Sequence, residues 1–196
     1  MRRLAVFAAL VGLFMATAML AAPEADATEV PMPAEGITVQ LGSSSLGAYY
    51  SRPLGPFTSW VGLRWGYRAR QVALPLGLGY PLFETSGGRY TLYSRAELAP
   101  TALFLDDLDL AVIGTLGLDN RWDLQRLGLL AGLEMDYGRS VLAPYDSRAR
   151  LWALGGVGLP AGASRVWWTG RVGYLVGGVG RGGLVYGTGV GISRRF

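Results

Sequence analysis

Beyond Gly36, apolar and polar residues alternate with a period of two, and turn residues break the pattern every ten to seventeen positions. That period belongs to strands whose two faces meet different media. No stretch there carries a convincing helical period. Nine strands are predicted, over 37–52, 57–70, 72–83, 89–104, 108–119, 124–138, 149–159, 165–177 and 184–196. Between them lie "PLGP", "ETSGG", "LDD", "DNRWD", "GRSVLAPYDS", "PAGAS" and "GGVGRGG". Pro75, Pro81 and Pro100 fall inside these strands, where each removes a ladder donor, so the boundaries near them are the weakest.

The charges fix the phase. In 57–70, Phe57, Val61, Leu63, Trp65 and Tyr67 share one face, and Arg64, Arg68 and Arg70 the other. In 89–104, Tyr90, Leu92, Ala96 and Leu98 oppose Tyr93, Arg95 and Glu97. Leu108, Leu110, Val112, Leu116 and Leu118 oppose Asp109, Thr115 and Asp119. Leu127, Leu129, Leu133, Met135 and Tyr137 oppose Glu134 and Asp136, and Val166, Trp168, Val172 and Tyr174 oppose Arg165, Thr169 and Arg171. Every strand interior thus keeps one face free of charge. Arg194, two residues from the end, is the exception, and its long stem would let it snorkel toward headgroups.

Alternation alone does not say which face is inside. The composition of the polar face does. It is largely Gly, Ala, Ser and Thr with scattered Arg and acids, whereas water-facing strands favour Thr, Lys, Glu and Gln. Exposed Gly costs backbone entropy and covers nothing, but small residues suit a crowded interior. The apolar face is then the outer one, toward lipid. Tyr67, Tyr90, Tyr137, Tyr186 and Phe196 sit toward strand ends on that face, as interfacial girdles require. Only a closed sheet crosses a bilayer without leaving unpaired backbone groups in hydrocarbon.

The N-terminus adds an address. Residues 1–27 have two Arg, an apolar stretch from Leu4 to Ala22, then Ala25-Asp26-Ala27, the layout of a secretory signal cut after Ala27. An uncleaved anchor is the alternative that the length of the stretch leaves open. Residues 28–36, "TEVPMPAEG", read as a short flexible lead-in, and 37–196 as the barrel.

Composition then narrows the chemistry. The chain has no Cys and no His, so it lacks thiolates, the commonest general base and the commonest metal ligand. All 18 basic residues are Arg, and they form no block of the kind that tracks nucleic acid; neither a metal nor a cofactor is expected. "GVGRGG" (178–183) fits G-x-G-x-x-G, but a strand follows it where a dinucleotide site needs a helix, so it reads as a Gly-rich loop. Asp106, Asp107 and Asp109 lack the Gly turn and closing Glu of an EF-hand and read as a solvated acidic turn.

The ending, "LVYGTGVGISRRF", alternates and closes on an aromatic carboxylate. It resembles the C-terminal signature of bacterial outer-membrane β-barrel proteins, through Tyr186, Val190, Ile192 and Phe196. The resemblance covers the last strand and implies that these residues are the signal read by the barrel assembly machinery. Length and pattern resemble the small eight-stranded members of that class. The implied fold is an all-β, closed, antiparallel up-and-down transmembrane barrel. Such barrels have an even strand count. Eight strands result if 37–52 lies outside the wall, which is the expected arrangement; ten result if it is two short strands bent near "GSSS". The barrel enzymes of the outer membrane depend on a catalytic His, so the resemblance implies no enzymatic activity here. A Ser–Lys dyad is excluded by the lack of Lys.

The candidate site is the lumen: Arg64, Arg68, Arg70, Arg95, Arg150, Arg165 and Arg171 with Glu97, Asp109, Asp119, Glu134 and Asp136. One reading is a charged constriction that selects small solutes. The other, favoured by the narrow bore of an eight-stranded barrel, is a structural ion-pair network. The functional expectation is a non-enzymatic, monomeric protein of the bacterial outer membrane, a structural anchor or narrow solute pore. Its partners are outer-membrane lipid and, during biogenesis, the assembly machinery. Two rivals differ in class: a secreted or periplasmic barrel holding a hydrophobic ligand in its interior, and an adhesion protein using the loop 138–149.

Overall fold

The computed structural model describes residues 30–67, 70–87, 89–104, 108–124, 126–141, 147–176 and 183–196. The expected signal (1–27), Arg68, Asp106, Asp107 and "GVGRGG" except Gly183 lie outside the described residues. Among the described residues the fold is all strand: β1 (Gly36–Gly42), β2 (Ser45–Leu54), β3 (Phe57–Gly66), β4 (Gln71–Ala73), β5 (Leu76–Glu84), β6 (Tyr90–Phe104), β7 (Leu108–Leu124), β8 (Leu127–Ser140), β9 (Ser147–Ala161), β10 (Ser164–Val176) and β11 (Leu184–Arg195). Each pairs antiparallel with its neighbours, and β1 pairs with both β2 and β11, so the sheet closes.

The eleven segments fill ten places. β4 and β5 both lie between β3 and β6, as two halves of one strand. The interruption is Leu74–Pro75, where the missing proline N–H opens the ladder and the neighbouring backbone re-satisfies it. Gly62 donates to the Pro75 carbonyl at 2.9 Å, and Leu74 to the Pro100 carbonyl at 2.9 Å. Pro81 borders a register shift against β6, while Pro100 sits within β6 without a break.

The expected count of eight is corrected to ten. Residues 37–52 are not outside the wall but form the β1–β2 hairpin, turning at Ser43–Ser44 beside the anticipated bend. Their pattern is the same as elsewhere: Ile37, Val39 and Leu41 are exposed, whereas Thr38, Gln40 and Ser51 are fully buried. The inward residues carry no charge, which is why the segment looked dispensable to the wall.

Orientation follows the phase that the charges fix. Leu63, Leu116, Leu133 and Ile192 are 53%, 56%, 65% and 49% exposed, whereas Arg95 and Glu134 are 7% and 4% exposed. Apolar residues face out and charges face in, the reverse of a globular core.

Luminal glycines make that interior fit. Bulky luminal side chains lie across glycines directly opposite on the next strand: Tyr49 over Gly62, Trp60 over Gly77, Arg95 over Gly117, Trp152 over Gly173 and Trp167 over Gly158. A β-carbon at Gly77 would collide with the Trp60 indole, and one at Gly173 with Trp152. Two of the tight turns need glycine for a different reason. Gly55 (φ 60°) and Gly162 (φ 63°) occupy two-residue hairpin connections in the left-handed region.

Gly77→Ala should therefore destabilise the barrel by about 1–3 kcal/mol through overpacking. Gly114→Ala, whose β-carbon would meet nothing closer than 4.0 Å, should shift stability by less than about 0.5 kcal/mol. Urea unfolding midpoints of the two variants test this, and equal midpoints would remove the packing account.

Candidate functional site: the luminal charge layer

Strand alternation points Arg64 (β3), Arg95 and Glu97 (β6), Asp119 (β7), Glu134 and Asp136 (β8) and Arg171 (β10) to the interior, where all seven are buried. The closure of the wall brings groups far apart in sequence within bonding reach. Glu134 is the hub: Arg95 Nη2 donates to its Oε2 in a short contact, and Arg171 Nη1 to its Oε1 at 3.2 Å. Arg95 also pairs through Nε with Asp119 at 3.3 Å, and Arg121 pairs with the same Asp119 oxygen at 3.1 Å. Arg64 lies 3.7 Å from Glu97, whose other oxygen accepts from Trp60 Nε1 at 3.0 Å. Asp136 accepts from Trp152 Nε1 at 2.7 Å and from Thr115 Oγ1 at 2.9 Å.

Removed from bulk water, these charges need both partners and hydrogen bonds. The aromatics supply part of both. Arg171 stacks over Trp152 at 4.1 Å and Arg121 over Tyr93 at 3.9 Å. Trp60 and Trp152 turn their N–H groups to carboxylates. The result is a layer of linked charges along the luminal side of the wall, from Arg64 on β3 through β6, β7 and β8 to Arg171 on β10. A cavity of about 10 Å³, room for roughly one water, lies beside it. Its lining includes Trp60, Tyr93, Arg95, Asp119 and Arg121.

The other anticipated site residues fall elsewhere. Asp109 is apart from the layer and accepts from Ser140 Oγ at 2.6 Å. Arg150 shares the luminal face of β9 and is half-buried. Arg165 bonds Asp123 at 2.9 Å and stacks on Trp167. Arg70 is corrected: it is exposed in the turn after β3, with φ 47°, because β3 ends at Gly66. Tyr186, Val190 and Ile192 share the outward side of β11, and Phe196 is exposed at the end of the chain.

Trp60, Trp152, Tyr93 and Arg121 complete the layer, and sequence reasoning did not nominate them as site residues. Parity would have found them. Trp60 shares a face with Arg64, Tyr93 with Arg95, Arg121 with Asp119, and Trp152 with Arg150. Among the described residues, no group of three or more metal-ligating side chains is placed to hold an ion. No family model and no curated protein matches the chain.

Glu134→Ala leaves Arg95 and Arg171 without their shared carboxylate and should cost about 3–5 kcal/mol of folding stability. Asp109→Ala, at the partly buried periphery, should cost about 1 kcal/mol. Denaturant unfolding of the refolded variants checks the ranking; equal losses would mean that Glu134 is no hub.

Proposed function

We propose that this protein is a non-enzymatic, integral β-barrel of the bacterial outer membrane whose lumen is closed by its own charge layer, so that it serves as a membrane-embedded scaffold rather than an open pore. The observation that carries the reading is the inverted burial pattern, with apolar side chains exposed around the wall and ion pairs inside. Such an outer surface in water would be an apolar patch far larger than soluble monomers tolerate. In lipid it is the solvated state.

Two aromatic bands frame that surface. At the mouth where β1 begins and β11 ends, Phe57 packs on Tyr80 at 5.3 Å, Phe83 on Tyr90 at 6.1 Å and Tyr90 on Trp122 at 5.5 Å between ring centroids. Toward the opposite mouth stand Trp65, Tyr67, Phe104, Tyr137 and Tyr174, all exposed. From Phe57 to Tyr67, ten residues at about 3.3 Å each with a tilt near 40° rise about 25 Å, the height of an outer-membrane apolar band. The strand ends that flank the two longest connections, Ser140 and Ser147, and Val176 and Leu184, stand at the opposite mouth, where extracellular loops of such barrels leave the wall. The C-terminal strand with Phe196 then serves as the assembly signal, and the protein's partners are lipid and the assembly machinery.

The rival with a hydrophobic ligand inside is disfavoured by a lumen occupied by charge and indole. A pore remains the second reading, because ionic linings also build selective channels.

Leu133→Arg places a charge on the outer face beside the hub residue and should lower barrel stability by about 2–4 kcal/mol if that face meets the bilayer midplane. Loss of the protein from the outer-membrane fraction and of its heat-modifiable gel migration is the expected result; normal recovery, or recovery of the unaltered protein in soluble periplasm, would reject the proposal. In planar bilayers the intact protein should give no current above background. Steady conductance that changes in Arg64→Ala would favour the pore.

A further inference from the structure

The segment before the first strand does not hang free of the barrel. Residues 30–35 run along the inside of the wall, with Val30 deepest and Glu35 at the rim. The Val30 N–H donates to Gln40 Oε1 at 3.1 Å, and Gln40 Nε2 donates to Tyr49 Oη at 2.8 Å. Gln40 is four residues into β1, so Val30 sits roughly 13 Å along the strand from Gly36. Nearer the rim, Ser51 Oγ donates to the Pro33 carbonyl at 2.8 Å, and the Phe196 N–H reaches the Glu35 carbonyl at 3.3 Å.

The wall is shaped for this segment. Val30 is 2% exposed and packs with Leu130, Leu154 and Trp167, an apolar patch on the otherwise polar luminal face. Gly191 lies against it on β11, where a β-carbon would collide with a Val30 methyl. Pro31 and Met32 continue to the small cavity beside Arg95, Asp119 and Arg121, so the segment stands between the mouth and the charge layer. Apolar residues in a barrel interior need an apolar occupant, and the chain supplies its own.

We infer that residues 30–35 are a built-in plug, with Val30 as the stopper and Leu130, Leu154, Trp167 and Gly191 as its socket, which seals the charge layer from the mouth where β1 begins and β11 ends. Solutes on that side reach the layer only when the segment withdraws. Its hydrogen bonds go to two side chains and one chain end rather than to a continuous ladder, so withdrawal leaves the wall intact. The plug concerns the lumen whatever surrounds the wall, so its failure and that of the outer-membrane reading are separable.

The chain has no cysteine, so introduced thiols report without background. Leu130→Cys, beneath the plug, should react slowly with a water-soluble methanethiosulfonate in the chain that keeps residues 28–35. It should react about tenfold faster or more when they are deleted, since labelling then no longer waits on local opening. Equal rates in the two folded proteins, both fast or both slow, would overturn the plug. A second measurement needs no deletion. In Val30→Cys/Gly191→Cys the two β-carbons stand about 3.2 Å apart, near the 3.5–4.5 Å of a disulfide. Mild oxidation should link them, and mass spectrometry finding only free thiols in the folded protein would equally overturn the proposal. Recovery in the outer membrane, measured on the same preparations, judges the other reading on its own.

Discussion

Seven residue pairs between β1 and β11, from Gly36–Arg195 to Gly42–Gly189, join the first and last strands and turn a sheet into a tube. Closure is the constraint from which the rest follows. It satisfies the two edges that an open sheet would leave bare, and it separates the side chains into an outer and an inner set with no third option. A residue's parity then determines its solvent. Once Leu133 is outside, Glu134 has to be inside, and the inside is too narrow to leave a carboxylate alone. The pairing of Glu134 with Arg95 and Arg171 is therefore a consequence of closure as much as a contribution to stability.

The interior resolves a packing problem in the same terms. Several of the bulky inward-facing side chains gain room because the position opposite them on a neighbouring strand is glycine. Trp60 with Gly77, Trp152 with Gly173 and Arg95 with Gly117 repeat one device along the wall. Large residues on a strand of this barrel are bought with small ones on the next. This explains why a chain so rich in glycine holds a regular sheet. The glycines do not loosen the strands; they are the floor on which the charge layer rests.

Much of this was legible in the residues. Arg64, Arg95, Glu134 and Arg171 each mark the inward face of their strand, because the opposite face of the same strand is apolar and, in the strand interior, free of charge. What was not legible has physical reasons. The hairpin 36–54 turns Thr38, Gln40 and Ser51 inward, and uncharged polar residues give no clue to which medium they meet, so the strand count came out at eight instead of ten. Arg70 carries a charge in the right alternation, but alternation ends where the strand does, and a turn erases parity. Which Arg meets which acid was beyond reach for another reason. Arg95 and Glu134 are joined by the curvature of the wall, and curvature depends on the number of strands, the very quantity misjudged.

The strand count bears on function through the same curvature. An eight-stranded barrel is filled by its own side chains, whereas two more strands widen the bore and leave volume to be occupied. Here that volume is taken up in two ways. On the side of β6 to β10 long ionic side chains pair with one another inside the wall. On the side of β11 and β1, residues 30–35 lie against Gly191 and Gln40, and Gln40 in turn is held by Tyr49 of β2. The two fillings differ in character. The ion pairs are fixed in the wall that makes them, and moving one strands its partner. Among the described residues the segment meets the wall through its continuation into Gly36, a few hydrogen bonds and the apolar contacts of Val30. If the segment is the plug inferred above, any opening of the lumen begins there and not among the ion pairs.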